Sequence, residues 1–307
     1  MNTRSHPAEV LVADVDSTML PYLTGFLAPA ITSGAARIAR IFGMTVSEMV
    51  QCLGPTMRRH GHDNPWILEL SPLLQMFGGS ECEFIDQVVR PFWEAWDEAA
   101  DMSGHPYPGV TTTLQTLRAK GKRIYALSNG RDFCVVQRLK AAGLLPYLHG
   151  IFAIQVTPPD GFDTTVFRER RARILAASRL TRRLYIECSV FKQRRPRSLA
   201  ASPRVDLTSM YEVASKPSGV GLHTIMEHAA VDAKDCIFIG DILELDGVAA
   251  AAVGIPYVLM DHGDVFNVHD FDVMYAGAPL LQEPPRFRNS VPMMHRASRF
   301  DELLEFF

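Results

Sequence analysis

The sequence predicts an α/β fold: a parallel sheet with helices on both faces, and a helical unit inserted near its start. Three observations carry this. Short apolar runs alternate with segments whose apolar residues recur every three to four positions. Polar and charged residues stand immediately after several of those runs, where a parallel sheet opens its carboxyl edge. A stretch of helical pattern over residues 24–102 separates the first run from the second.

The elements follow in order. VLVA (Val10–Ala13) is a dry run that meets two acids, Asp14 and Asp16, and reads as a buried strand feeding a loop. ARIARIFG, VSEMVQCL and EFIDQVVRPFWEAWDEAA carry helical spacing, with Phe92, Trp93 and Trp96 expected as packing residues. HPYPG punctuates the chain at His105–Gly109, and the helical TTTLQTLRAKG ends at Gly121, a natural C-cap. RIYALSNG predicts the second strand, FCVVQRLKAAG a helix and GIFAIQV the third strand. After an irregular region in which LYIECSVF alternates like a strand, GLHTIMEHAAV, DCIFIGD, DGVAAAAVG and PYVLMD read helix, strand, helix, strand. A proline-rich tail leads to a final helix whose start, Ser298 with Asp301 three residues on, fits an N-terminal cap. The alternation describes a Rossmann-like sheet.

Composition bounds the chemistry. With 47% hydrophobic and 21% charged residues and a net charge of −3, the chain has the make-up of a soluble globular protein with no strong overall field for nucleic acid or membrane. Five cysteines stand singly with no CxxC pair, which predicts a reduced, cytoplasmic setting without disulfides or a cysteine zinc site. The N-terminus is polar, and no window reaches the roughly 18 apolar residues of a transmembrane segment.

Four strand ends or their neighbours bear polar groups: Asp14, Asp16 and Thr18; Ser128, Asn129 and Gly130; Lys216; Asp241 and Asp246. On one rim of a parallel sheet these groups converge. Carboxylates within reach of one another repel, and a hard divalent cation such as Mg²⁺ relieves them. Beside such a cation Asp14 can attack phosphorus as a nucleophile, and Asp16 can pass a proton to a leaving oxygen. Ser128 and Lys216 supply a donor and a positive charge for the transferring oxygens.

DVDST (Asp14–Thr18), the strand-end Ser128, KP (Lys216–Pro217) and GDILELD (Gly240–Asp246) resemble, in order and spacing, the four motifs of the haloacid dehalogenase-like hydrolases. The resemblance covers residues 8–20, 104–156 and 214–261. It implies Asp14 as nucleophile and Mg²⁺ ligand, Asp16 as general acid/base lending a backbone carbonyl to the metal, and Asp241 as a further ligand. It also implies that Ser128, Asn129 and Lys216 bind the substrate phosphate, with Asp246 supporting Lys216 or the metal's water shell. Members that displace halide lack an acid at the position of Asp16, because a halide leaves without a proton. The acid therefore implies a Mg²⁺-dependent phosphatase acting on a small phosphorylated metabolite, with a phosphomutase as the alternative on the same scaffold.

The resemblance divides the chain into an α/β core over residues 1–20 and 104–307 and a helical cap over 21–103, the insertion site of relatives with small substrates. Residues 157–215 form a second, basic insertion. Within it, residues 168–204 hold eleven Arg and one Lys against two Glu. The expectation for it is a solvated excursion. The functional alternative is docking to an acidic protein, RNA or an anionic surface, as an adaptor or a protein-directed phosphatase would do.

Overall fold

The computed structural model describes residues 7–62, 64–154, 162–178, 215–263 and 293–307. Six strands form one sheet: β1 (Val10–Ala13), β2 (Arg123–Arg131), β3 (Gly150–Ile154), β4 (Cys236–Gly240), β5 (Tyr257–Met260) and β6 (Met293–Ala297). Their order is β3-β2-β1-β4-β5-β6, and every neighbouring pair runs parallel. β1 is central because its four residues are buried on both faces. Leu11 and Ala13 join Ile124, Ala126, Ile237 and Ile239 on one face, while Val10 and Val12 join Tyr125, Leu127 and Phe238 on the other. Uninterrupted apolar runs are what a parallel sheet covered twice requires.

Ten α-helices accompany the sheet among the described residues. Between β1 and β2 lie α1 (Ala28–Ile38), α2 (Val46–His60), α3 (Leu73–Phe77), α4 (Glu81–Phe84), α5 (Arg90–Met102) and α6 (Val110–Ala119). α7 (Asp132–Ala141) follows β2, and α8 (Thr165–Ala177) follows β3. α9 (Val220–Ala229) and α10 (Val248–Val253) flank β4. α6 and α7 cover the Leu11 face; α9 and α10 cover the Val10 face. The doubly covered parallel sheet expected from the sequence is thus the fold observed. No helix among the described residues is long and apolar enough to cross a membrane.

The helices before α6 have a core of their own, built on Phe26, Ile38, Leu53, Phe84, Phe92, Trp93 and Trp96. Their aromatic rings interlock edge to face, Phe92 with Trp93 at 5.1 Å and Trp93 with Trp96 at 5.2 Å. Gly34 lets α1 approach α5, since a Cβ there would stand 2.6 Å from the Phe92 ring. Thr45 and Ser80 start α2 and α4 with reciprocal capping boxes to Glu48 and Glu83.

Two expectations change. Residues 293–297 pair with β5 as an edge strand, where the sequence pattern predicts only a tail. The final helix is a 3-10 helix, Phe300–Phe306, and the first amide bound by its Glu302 belongs to Arg299, at 3.0 Å, one residue beyond the expected Ser298.

The basic insertion changes more. Its described part, α8, is no solvated excursion. Arg170 is 4% exposed, donates to both oxygens of Asp97 on α5 at 2.9 and 3.1 Å, and lies between the rings of Trp93 (4.1 Å) and Phe133 (4.9 Å). Arg173 pairs with the same Asp97, Arg171 with Asp132 on α7, and Glu169 with Arg90 at 2.6 Å. A buried guanidinium needs a counter-charge, and Asp97 provides it to Arg170 through Nε. Arg170 and Arg173 thus neutralise Asp97, and Arg171 neutralises Asp132. The strand expected at 184–191 and the rest of the basic run, 179–204, lie outside the described residues.

Candidate active site

The strand register builds the site. Ala13 pairs with Ala126 on one side and Ile239 on the other, so β1, β2 and β4 run level across the sheet. Asp14 is the first residue past β1, anchored by its N–H to the Ile239 carbonyl at 2.9 Å. Asp241 is the first residue past β4, and Ser128 and Asn129 lie near the end of β2. Lys216 arrives from the loop before α9. The chain turns tightly after Asp16: Ser17 adopts φ 57°, the left-handed region, and its N–H donates to the Leu20 carbonyl at 2.7 Å.

Asp14, Asp241 and Asp246 bring one carboxylate oxygen each within 4.8 Å of one another, all three buried. The Thr18 hydroxyl lies 3.4 Å from Asp14 and 3.2 Å from Asp241. Lys216 Nζ bonds to Asp14 and lies 2.6 Å from Asp246. Asp246 is set by the Ile242 N–H at 3.1 Å, and Gly240 leaves room for it, since a Cβ there would overlap the Asp246 carboxyl.

One ammonium among three buried carboxylates leaves the cluster short of positive charge. Burial opposes the Lys216 charge, but Asp14 and Asp246 outweigh it and raise its pKa above the usual lysine value. Burial, then Asp14 and Asp246, pushes the Asp241 carboxyl well above the usual range. Burial lifts Asp246 to about 6 against the pull of Lys216. Hard carboxylate oxygens short of a counter-charge fit a divalent cation such as Mg²⁺, which Asp14 and Asp241 would hold.

These buried acids make stability depend on pH. In the metal-free protein Asp246 titrates at about 6, against 3.8 for the free carboxyl, so the unfolded chain loses this proton first as pH rises. The stability contributed by the protonated carboxyl is present below about pH 4 and is lost as pH rises towards 6. A cation takes the proton's place, so the rise in Tm given by Mg²⁺ over EDTA should grow across that window. Melting curves at successive pH values read it directly; a gain that is absent or flat with pH contradicts the cation site.

Asp16 and Ser128 separate from this cluster, and Asn129 meets it only through the Lys216 main chain. Asp16, its side chain 23% exposed, is held by the Arg138 guanidinium, whose Nη1 and Nη2 donate to Oδ1 and Oδ2, the latter at 3.1 Å. Ser128 Oγ stands 3.5 Å from Asp16 Oδ2 and accepts the Gly130 N–H at 2.9 Å. The Asn129 amide is engaged with the Lys216 main chain, Nδ2 to the carbonyl at 3.0 Å and Oδ1 from the N–H at 2.8 Å. Its observed work is to fix Lys216. Arg138 is the site residue that motif spacing does not point to. The signal for it is an arginine within FCVVQRL, a helix buried from residue 132 to 139, where a cation must find an internal acid.

Residues 213–272, which carry Lys216, Asp241 and Asp246, match the family model described as HAD-hydrolase-like. Curated protein sequences give no match. Among solved structures, the fold is similar to a 2-haloacid dehalogenase from Pseudomonas syringae pv. Tomato at TM-score 0.52 and 14% identity, covering 97% of each chain. It is similar to the HAD-hydrolase YfnB from Bacillus subtilis bound to magnesium at TM-score 0.50 and 12% identity, covering 98% of each chain. A predicted phosphoglycolate phosphatase from Haemophilus somnus aligns at TM-score 0.48 and 15% identity, over 84% of this chain and 88% of that one. The fold is similar to that of haloacid dehalogenase-like hydrolases, and the segment carrying Lys216, Asp241 and Asp246 matches their family model.

Proposed function

We propose that this chain is a Mg²⁺-dependent phosphatase that hydrolyses a phosphate monoester through an aspartyl-phosphate on Asp14. The supporting observation is the inequality of its two leading acids. Asp14 sits in the buried cluster beside Lys216, while Asp16 sits outside it, on Arg138 and Ser128. The separation gives the two acids different surroundings, which supports one as nucleophile and the other as proton carrier.

Lys216 and Ser128 would hold the phosphoryl oxygens. An Asp14 oxygen forms a bond to phosphorus as the bond to the leaving oxygen breaks, and Asp16 gives that oxygen its proton. Water, deprotonated by Asp16, then attacks the same phosphorus, and the bond to Asp14 breaks to free phosphate and restore both acids. A bound Mg²⁺ supplies positive charge for the phosphoryl oxygens and lets Asp14 stay ionised beside Asp241. The helical unit over residues 21–103 serves as a cap that excludes water and selects a small phosphorylated metabolite.

Phosphate release from a panel of phosphometabolites, with Mg²⁺ and with EDTA, tests the reading. Turnover that requires Mg²⁺ is expected. Equal turnover in EDTA, or halide release from 2-haloacids in its place, contradicts it.

A further inference from the structure

We propose that Arg138 is a positioning residue for Asp16, fixing which carboxylate oxygen exchanges the proton and tying that acid to the helical unit. The proposal rests on the phosphatase reading of the site.

Arg138 is 4% exposed on α7, and its Nε donates to the Cys134 carbonyl at 3.4 Å. Its guanidinium lies 4.7 Å from the ring of Phe26 and 5.3 Å from that of Tyr22, both at the entry to the helical unit. Phe26 in turn meets Trp96 edge-on at 5.8 Å, inside that unit's core. The cation is therefore held from three sides before it touches Asp16.

Its planar fork then takes one lone pair on each Asp16 oxygen. Ser128 Oγ, at 3.5 Å, stands against Oδ2. The lone pair that remains on Oδ1 is left for substrate. A bidentate pair fixes the carboxylate plane as a single bond cannot. As a source of stability the pair is poor, because burying a guanidinium is costly and an apolar side chain would pack there at less cost. Its advantage lies in orientation. Because Tyr22 and Phe26 grip the same guanidinium, displacement of the helical unit displaces the acid.

The test uses the full chain with Mg²⁺ and two substrates. p-Nitrophenyl phosphate has a leaving group that departs without a proton; glycerol phosphate has one that needs it. Arg138→Met should lower kcat on glycerol phosphate by about 10²-fold, the rate advantage of a placed general acid. Its kcat on p-nitrophenyl phosphate should fall only a few-fold, with KM unchanged on both. Arg138→Lys should recover part of the loss, and Asp16→Asn should show the same substrate asymmetry in full. Equal losses on both substrates, or no loss on glycerol phosphate, overturn the proposal.

A crystal structure of Arg138→Met separates this from the activity reading. Asp16 leaving its rotamer while Asp14, Lys216 and Asp246 stay in place is the expected result. An unmoved Asp16 overturns the proposal even if phosphate release is normal. Conversely, a wild-type chain that hydrolyses neither substrate nor any member of the phosphometabolite panel defeats the phosphatase reading, and with it the positioning role of Arg138.

Discussion

Asp14→Asn is expected to fold normally and to lose phosphate release by about 10⁴-fold or more, the scale on which covalent nucleophiles fail when removed. The substitution is isosteric. The Thr18 hydroxyl, 3.4 Å away, keeps an acceptor, and Lys216 keeps Asp246 at 2.6 Å. The attacking carboxylate is gone, and a carboxamide is no nucleophile for phosphorus. Stability should move the other way. One of three crowded negative charges disappears, so the pressure that raises Asp241 eases. In EDTA the variant should melt no lower than the parent, and its response to Mg²⁺ should shrink. A phosphate-release assay beside paired melting curves measures both. An inactive variant that is also unfolded would say nothing of chemistry, so the two readings belong together.

Lys216→Met should cost the most stability of any single change at the site. Its ammonium is 5% exposed and lies between Asp14 and Asp246, whose side chains are 7% and 1% exposed. Removing one partner from a buried charge pair costs about 3–5 kcal/mol, because the remaining charge is stranded. Here two acids are stranded, with Asp241 close by. The loss should be largest in EDTA near neutral pH. It should shrink with Mg²⁺, and shrink again below about pH 4, where Asp246 is protonated in the folded and the unfolded chain alike. Denaturant titrations under those three conditions measure it. Activity should fall with stability even at saturating Mg²⁺, since the proposed mechanism also uses Lys216 to hold the transferring phosphoryl group. A variant as stable in EDTA as the parent would mean that Lys216 does not carry the charge balance of the cluster.

The site's skeleton was legible because it is local. An acid that follows a dry strand has few places to go, and β1 and β4 each end in one. KP and GDILELD stand at fixed distances from those strands, so Lys216, Asp241 and Asp246 were readable together. What escaped was non-local. Arg138 and Asp16 are 122 positions apart, and Arg170 and Asp97 are 73 apart; nothing in either neighbourhood announces the partner. The arginines of α8 looked like a solvated face because their counter-ions lie on other helices. The amide oxygen and nitrogen of Asn129 bond to the Lys216 backbone, a pairing visible only once the loop before α9 is placed. β6 was missed for a different reason. MMHRA lacks the apolar run of a central strand, since an edge strand bonds on one side and tolerates His295 and Arg296.

The proposed mechanism requires a covalent bond between phosphorus and Asp14. The most direct measurement is mass spectrometry of the protein quenched in acid during turnover with Mg²⁺. One added phosphoryl group is predicted on the peptide carrying residues 8–20, on Asp14, labile to hydroxylamine and missing from Asp14→Asn. Steady release of phosphate with that peptide unmodified, or a phosphoryl group found on Ser128, would contradict the account.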